Sequence, residues 1–202
     1  MCDVDRLTLS LQDALVVLAV NAASVANVCD HVEHNEDASM QSVRGAAREV
    51  RGIGVRLAIQ AGRDPVELYK ARLDQIETRN VLFGEGSFDG PASMPEEPTW
   101  YQLQRVQIDH DRCYHPDVIG MAKLEQLRHY ALHLAKLSGA VAQAIAGQIS
   151  REDLVARRVP DMLIFGVKLS TVTGERLPAE SIVHGAELSH VDVIERAGSP
   201  LG

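Results

Sequence analysis

The sequence is poor in aromatic residues and in basic charge. Aromatic side chains make up 4% of its 202 residues, and the formal net charge is −8 at pH 7. A core of small aliphatic side chains suits closely packed helices better than a β-sandwich, where aromatic residues are enriched. The acidic balance argues against a general nucleic-acid binder, because affinity for phosphate backbones comes from clustered Lys and Arg.

Cysteines are few, and no long apolar run is present. Cys2, Cys29 and Cys113 are an odd number without C-x-x-C spacing, which indicates neither a disulfide framework nor a zinc site. Free thiols are typical of a reducing compartment, and residues 1–10 lack the apolar segment of a signal peptide. We therefore expect a cytoplasmic protein. The longest apolar run, Ala14 to Val20, is too short to span a bilayer, so we expect no membrane association.

The sequence is rich in helical periodicity. Apolar residues recur with a period of 3.6 in segments that predict helices at residues 7–32, 40–61, 65–78, 100–111, 124–146 and 151–173. Ser10 is a predicted N-cap, and Gly62, Gly147 and Gly174 each follow a predicted helix as expected for C-terminal caps. Pro160 predicts a fresh helix start. Since no segment favours a strand, the expected fold class is all-α.

Residues 84–98 are rich in Gly, Pro and acidic residues, and they predict a linker between a first half, residues 1–83, and a second half, residues 99–197.

The two halves resemble each other. Leu11–Cys29 aligns without a gap with Leu127–Ile145. Gly54–Asp64 aligns with Gly166–Arg176, and both stretches read G-V-basic-L before a capping glycine. Chance alignment of Ala- and Leu-rich helices is the alternative. Homologous hairpins in one chain would pair as the subunits of a homodimer do. The prediction is a helical bundle of two similar helical-hairpin halves related by a pseudo-twofold axis.

Three stretches carry a family resemblance. Asp161–Ala179 reads as an acid, an apolar run, a glycine and then an acid two residues before a leucine. Glu49–Leu68 repeats this more faintly, and Leu134–Ala142 resembles an L-A-x-E-x-G-E-L-A turn. These stretches resemble the MazG-like group of all-α nucleoside triphosphate pyrophosphohydrolases. The resemblance implies an all-α bundle, a nucleotide substrate and Mg²⁺ or another divalent metal. The chain could be a monomer if its halves form an internal pseudo-dimer, or it could assemble further as a homodimer, since the family commonly assembles.

That family holds Mg²⁺ with E-x-x-E on one helix and E-x-x-D on the next. In the second half these positions fall on Leu137, Ala140, Arg158 and Asp161. In the first half they fall on Asn21, Ser24, Ala46 and Glu49. One acid of four remains in each half, and a lone carboxylate does not hold Mg²⁺ tightly. Either catalysis has been lost, or the scaffold does something else.

A polar stripe follows one face of the predicted helix 124–146. His129, His133 and Lys136 recur at i, i+4 and i+7, and His133 points close to the positions of the missing carboxylates. The two imidazoles could bind a transition metal, and together with Lys136 they could cradle a phosphate. The remaining alternative is a solvated helix face.

Asp161 and Lys168 lie on a helix that is apolar nearly all round, so both are expected to be largely buried. They are roughly 10 Å apart along the helix, too far for a direct bond. Each therefore needs a partner from another helix, because an unpaired buried charge is costly. Lys136 could pair with Asp161. A structural ion pair and a role as base or metal ligand both stay open for Asp161.

Polar residues also crowd the stretch from Ile108 to Asp117. The candidates there are His110, Asp111, Tyr114 and His115. They form either a capping turn or part of a pocket beside His129.

The leading hypothesis is a MazG-like protein that binds or hydrolyses a nucleotide or another phosphorylated small molecule in its second half. Lys136, His133, His129 and Lys168 would contact phosphate, and Asp161 would orient a cation or act as a base. The first alternative is a non-catalytic helical interaction or regulatory protein. The second is a metalloenzyme on a helical bundle that uses His110, Asp111, His129, His133 and Asp161.

Overall fold

The computed structural model describes residues 8–34, 36–79 and 94–182. Its helices are α1 (Leu11–Glu33), α2 (Met40–Gln60), α3 (Pro65–Arg79), α4 (Trp100–Tyr114), α5 (Pro116–Ile119), α6 (Lys123–Ile145), α7 (Arg151–Asp153) and α8 (Val159–Val172). An isolated antiparallel bridge joins Thr99 to Ser181. The predicted all-α helical bundle is confirmed.

The helix ends follow local sequence signals. The Ser10 side chain accepts a hydrogen bond of 3.0 Å from the Asp13 backbone N–H, as its predicted N-cap role requires. Gly62, Gly147 and Gly174 have φ angles of 67°, 69° and 73°. A residue with a Cβ rarely adopts this left-handed conformation, so glycine ends these helices at low cost.

A π-helical turn, Leu154–Arg158, connects α7 to α8. Pro160 has no backbone N–H, so the carbonyl four residues before it loses its usual helical partner. Next to it, the Val159 N–H donates to the Leu154 carbonyl, five residues back rather than four. A π turn holds more residues than an α turn, and it therefore changes the direction in which the side chains before α8 point. Arg158 is the last residue of this turn.

The two halves share one core. α1 packs mainly along α6, and α2 packs mainly along α8. The larger apolar cluster accordingly contains buried residues of both halves. Most of the predicted linker, residues 84–93, lies outside the described residues. The end of the predicted linker is part of the folded core, because Met94 is buried in a second, smaller apolar cluster.

Two glycines lie where α2 and α8 cross. A Cβ on Gly54 would lie 3.0 Å from Leu163 Cδ2, and a Cβ on Gly166 would lie 2.5 Å from Arg51 Cγ. The alignment that pairs Gly54 with Gly166 also pairs Arg51 with Leu163. Exchanging the two aligned segments therefore turns the contact of Gly54 with Leu163 into the contact of Gly166 with Arg51. A twofold relation requires such reciprocal contacts. The pseudo-twofold axis for the whole bundle stays a prediction.

By length and composition α1 is long and apolar enough to cross a membrane. Its most apolar 18-residue window has a mean hydropathy of 1.6, and 28% of that window is buried. Core helices of soluble proteins meet the same criterion. The expectation that the protein does not associate with membranes therefore stays a prediction, as does its cytoplasmic location.

Candidate functional site

A cleft of about 380 Å³, a volume within the range of small-molecule sites, is lined by residues of both halves rather than of the second half alone. It opens between α3, α5, α6 and α8. Its charged and histidine lining is Arg72, His115, Asp117, His129, His133, Lys136, Arg158, Asp161 and Lys168. Its apolar lining is Ile76, Val118, Leu137, Ile164 and Phe165. Positive charge predominates, since four Lys and Arg side chains stand against two carboxylates.

Asp161 is held by an arginine from α3. Arg72 Nε donates to Asp161 Oδ1 at 2.6 Å, and Arg72 Nη2 donates to Asp161 Oδ2 at 3.2 Å. Arg158 Nη1 lies 3.7 Å from Oδ2. Burial raises the pKa of Asp161, and the Arg72 hydrogen bonds oppose that rise. The expectation of a partner on another helix is confirmed, and that partner is Arg72 rather than Lys136, which the sequence had offered as a candidate.

Lys168 is held from the opposite side, by α4. Its Nζ donates to Asp111 Oδ1 at 2.8 Å, and both side chains are buried. Asp111 Oδ1 also accepts from Gln107 Nε2 at 2.9 Å, and Gln107 Oε1 accepts from the Tyr69 hydroxyl at 2.7 Å. Burial raises the pKa of Asp111, but Lys168 and the hydrogen-bond donors outweigh burial and leave this pKa below its ordinary value. Asp111 therefore stays anionic and fixes the Lys168 ammonium group at the wall of the cleft.

Neutral imidazoles line the middle of the cleft. The ring of His133 stacks on Phe165 with centroids 4.0 Å apart and planes at 19°, and its centroid lies 4.7 Å from that of His129. Burial lowers the pKa of His133 to about 3, with further lowering by His129, Lys136 and Lys168. Burial and Lys168 lower the pKa of His115 to about 4. The pKa of His129 is lowered for the same two reasons.

The residues do not fit the Mg²⁺ cage that the family resemblance implies. Leu137 and Ala140 have no ligand atoms, Arg158 is cationic, and both Asp161 oxygens accept hydrogen bonds from Arg72. The cleft therefore lacks the set of carboxylates that holds Mg²⁺ in that family.

A different set of side chains has its potential ligand atoms close together. Among the described residues, ligand atoms of His110, Asp111 and His115 lie within 4.8 Å of one another. The predicted metal set of His129, His133 and Asp161 is not such a group. In the observed group, Lys168 already balances the charge of Asp111 at 2.8 Å.

Most of the candidates from the sequence meet at this one cleft. His115, His129, His133, Lys136, Asp161 and Lys168 line it. His110 and Asp111 are buried on α4, and the Tyr114 ring lies 4.9 Å from that of His110. Sequence reasoning missed Arg72, Ile76 and Phe165. No local signal marks Arg72, because its role depends on where α3 crosses α8.

No family model, curated protein or solved structure matches this chain.

Proposed function

We propose that the protein binds a phosphorylated small molecule, with nucleotides as the first candidates, in the cleft between α3, α5, α6 and α8. The observation that carries the proposal is the convergence of four cationic side chains from separate elements on one partly apolar cleft. Arg and Lys are the side chains that bind phosphate, and a phosphate ester joins such an anion to a less polar remainder. The cleft offers cationic side chains to the phosphate and apolar side chains to the remainder of the molecule.

The four cations have different surroundings, which suggests different roles. Lys168 is fixed by Asp111 and Arg72 by Asp161, so their positions are set before a ligand arrives. Lys136 is exposed, and the Arg158 side chain is 44% exposed and only loosely paired. Lys136 and Arg158 are therefore free to close on a phosphate group, while Ile164 and Phe165 contact the organic part.

Binding has better support than hydrolysis. Leu137, Arg158 and Asp161, three of the four positions that the family uses for metal ligands, border the cleft. In the proposed arrangement a ligand sits where the family binds its nucleotide, and arginine and lysine charges replace the metal ions. Hydrolysis by the family's mechanism needs several carboxylates, and the one retained there is paired with Arg72.

A thermal-shift panel tests the proposal. Nucleoside mono-, di- and triphosphates are added to the protein with and without Mg²⁺, since a ligand that binds only the folded state stabilises it. At about 100 times its Kd a ligand adds about 2.7 kcal/mol, which raises the Tm by roughly 5–10 °C for a chain of this size. The double variant Lys136→Gln/Arg158→Gln should lose this shift.

Arg112→Gln is the matched control, because Arg112 is an exposed arginine on α4 whose side chain contacts Asp109 rather than the cleft. It should retain the full shift. If no phosphorylated compound shifts the wild-type Tm, the proposal is wrong and the interaction-protein alternative takes its place.

A further inference from the structure

We propose that His110, Asp111 and His115 together bind a divalent transition-metal ion such as Zn²⁺ at the side of the cleft. Ligand atoms of these three side chains lie within 4.8 Å of one another. His110 Nδ1 is 3.5 Å from Asp111 Oδ1. Two ligands of a tetrahedral Zn²⁺ ion are about 3.3–3.4 Å apart, so these two side chains already have the separation that the ion requires. The longer separations close by rotation of the half-buried His115 side chain.

The donor set selects a transition metal. Two imidazoles and one carboxylate suit Zn²⁺ and similar first-row ions, whereas Mg²⁺ and Ca²⁺ take oxygen ligands. Asp111 is held in place by Gln107, which donates to its Oδ1 at 2.9 Å and accepts from the Tyr69 hydroxyl at 2.7 Å. Such hydrogen bonds to a ligating carboxylate fix its orientation, as in established metal sites.

The end of α4 brings the third ligand to the other two. A continued helix would place His115 about 140° around the axis from His110, five residues earlier. Pro116 disfavours helical geometry at the residue before it, and His115 has φ −136° and ψ 46°. Its ring centroid consequently lies 5.8 Å from that of His110. The proline break at the end of α4 therefore assembles the group.

Lys168 competes with the ion for Asp111. Its Nζ lies 2.8 Å from Asp111 Oδ1 and balances the carboxylate charge in the absence of a metal. A bound cation would repel this ammonium group, so the lysine lowers the metal affinity of the site. Lys168 and His115 both line the cleft, which gives the ion a path to the buried His110 and Asp111.

A Co²⁺ titration of the full chain, produced without a polyhistidine tag, tests the inference. Co²⁺ accepts the ligands of Zn²⁺ and absorbs visible light strongly when it is four-coordinate. We expect one Co²⁺ per chain, displacement by Zn²⁺, and no charge-transfer band from a thiolate ligand. Failure of both ions to bind in large excess over the protein would overturn the inference. The titration contains no phosphorylated compound, so its outcome is independent of the proposed function.

Histidine variants locate the ion. His115→Gln and His110→Gln should each weaken Co²⁺ binding at least about tenfold, because each removes one of three ligands. The matched control is His31→Gln/His34→Gln, which removes two histidines that also lie beside carboxylates, at the end of α1. It should bind Co²⁺ as the wild type does. Unchanged affinity in His115→Gln, or loss of binding in the control, would show that the ion binds elsewhere.

Lys168→Met distinguishes a metal site from a purely structural ion pair. The variant removes the competing cation, so it should bind Co²⁺ at least about tenfold more tightly than the wild type. It also leaves Asp111 without its ion pair, so its Tm should be lower, and saturating Zn²⁺ should raise that Tm by more than it raises the wild-type Tm. A lower Tm without recovery in Zn²⁺ would assign Asp111 a structural role only and refute the proposed site.

Discussion

At the scale of single residues, the ion pair of Asp161 and Arg72 predicts that one substitution changes stability and ligand binding in opposite directions. Asp161→Asn keeps the shape of the side chain but leaves the Arg72 guanidinium, whose side chain is 16% exposed, without its carboxylate. Removing one partner of a fully buried pair costs about 3–5 kcal/mol, but burial raises the pKa of Asp161 and so reduces what its charge contributes, and we expect a loss of no more than about 1 kcal/mol. Chemical denaturation measures the loss.

The same variant should bind phosphorylated ligands more tightly than the wild type, because it removes a negative charge from the cleft and frees Arg72. A metal ligand would behave in the opposite way, since the loss of its carboxylate would abolish metal-dependent binding. Calorimetry with the ligand that gives the largest thermal shift, in the presence and absence of Mg²⁺, distinguishes these two roles of Asp161.

Charged residues on apolar helices were the most informative signals in the sequence. Burial of Asp161 and Lys168 follows from the apolar residues around them, and physical chemistry then demands a partner for each. The identity of that partner does not follow, because it depends on helix crossings. Arg72 reaches Asp161 from 89 positions away, and Asp111 reaches Lys168 from α4. The sequence therefore predicted that each of these charges has a partner, but not which residue that partner is.

Among the helices, the close crossing of α2 and α8 predicts that Gly166→Ala destabilises the protein, whereas the same substitution at an open helical glycine does not. In Gly166→Ala the new Cβ would lie 2.5 Å from Arg51 Cγ and 3.0 Å from the Ala47 carbonyl oxygen. Overpacking of this kind costs about 1–3 kcal/mol and outweighs the better helix propensity of alanine. We expect a lower free energy of unfolding, measured by urea denaturation.

Gly139→Ala is the matched control within α6. A Cβ there meets nothing within 4 Å, so the variant should gain about 0.5–1 kcal/mol from helix propensity alone. Stabilisation by both substitutions would show that α2 and α8 do not approach as closely as this packing requires.

Helix positions were largely predictable because they depend on local chemistry. Ser10, Gly62, Gly147 and Gly174 each set a helix end through their own backbone or side-chain geometry. The π turn before Pro160 was predicted only as a helix restart, because the loss of one N–H marks the position of an irregularity without fixing its form. The direction of Arg158 could therefore not be predicted.

For the whole molecule, the histidines of the cleft predict a loss of stability in mild acid. His133 and His115 have pKa values of about 3 and about 4 in the folded protein, against an ordinary value of 6.5. Below pH 6.5 the unfolded chain binds protons that the folded protein does not, so stability falls as pH decreases from 6.5 towards 4. Asp111, whose pKa is lowered, loses its contribution only at lower pH, below about 4.

Thermal unfolding between pH 8 and pH 4.5 measures this dependence. The double variant His115→Gln/His133→Gln should show a flatter profile over that range, while His34→Gln should follow the wild type. A variant profile as steep as that of the wild type would assign the acid sensitivity to other groups.

The division into residues 1–83 and 99–197 predicts the behaviour of the two halves when they are separated. Within the described residues α1 packs mainly on α6 and α2 on α8, so each half leaves most of its apolar face uncovered when alone. Residues 1–83 and residues 84–202, produced separately, should therefore lack cooperative unfolding, and their mixture should regain helix content by circular dichroism. Homologous hairpins that pair like subunits would assemble in this way. Cooperative unfolding of residues 1–83 alone would show instead that the first half folds on its own, and that the shared core forms only when two completed domains dock.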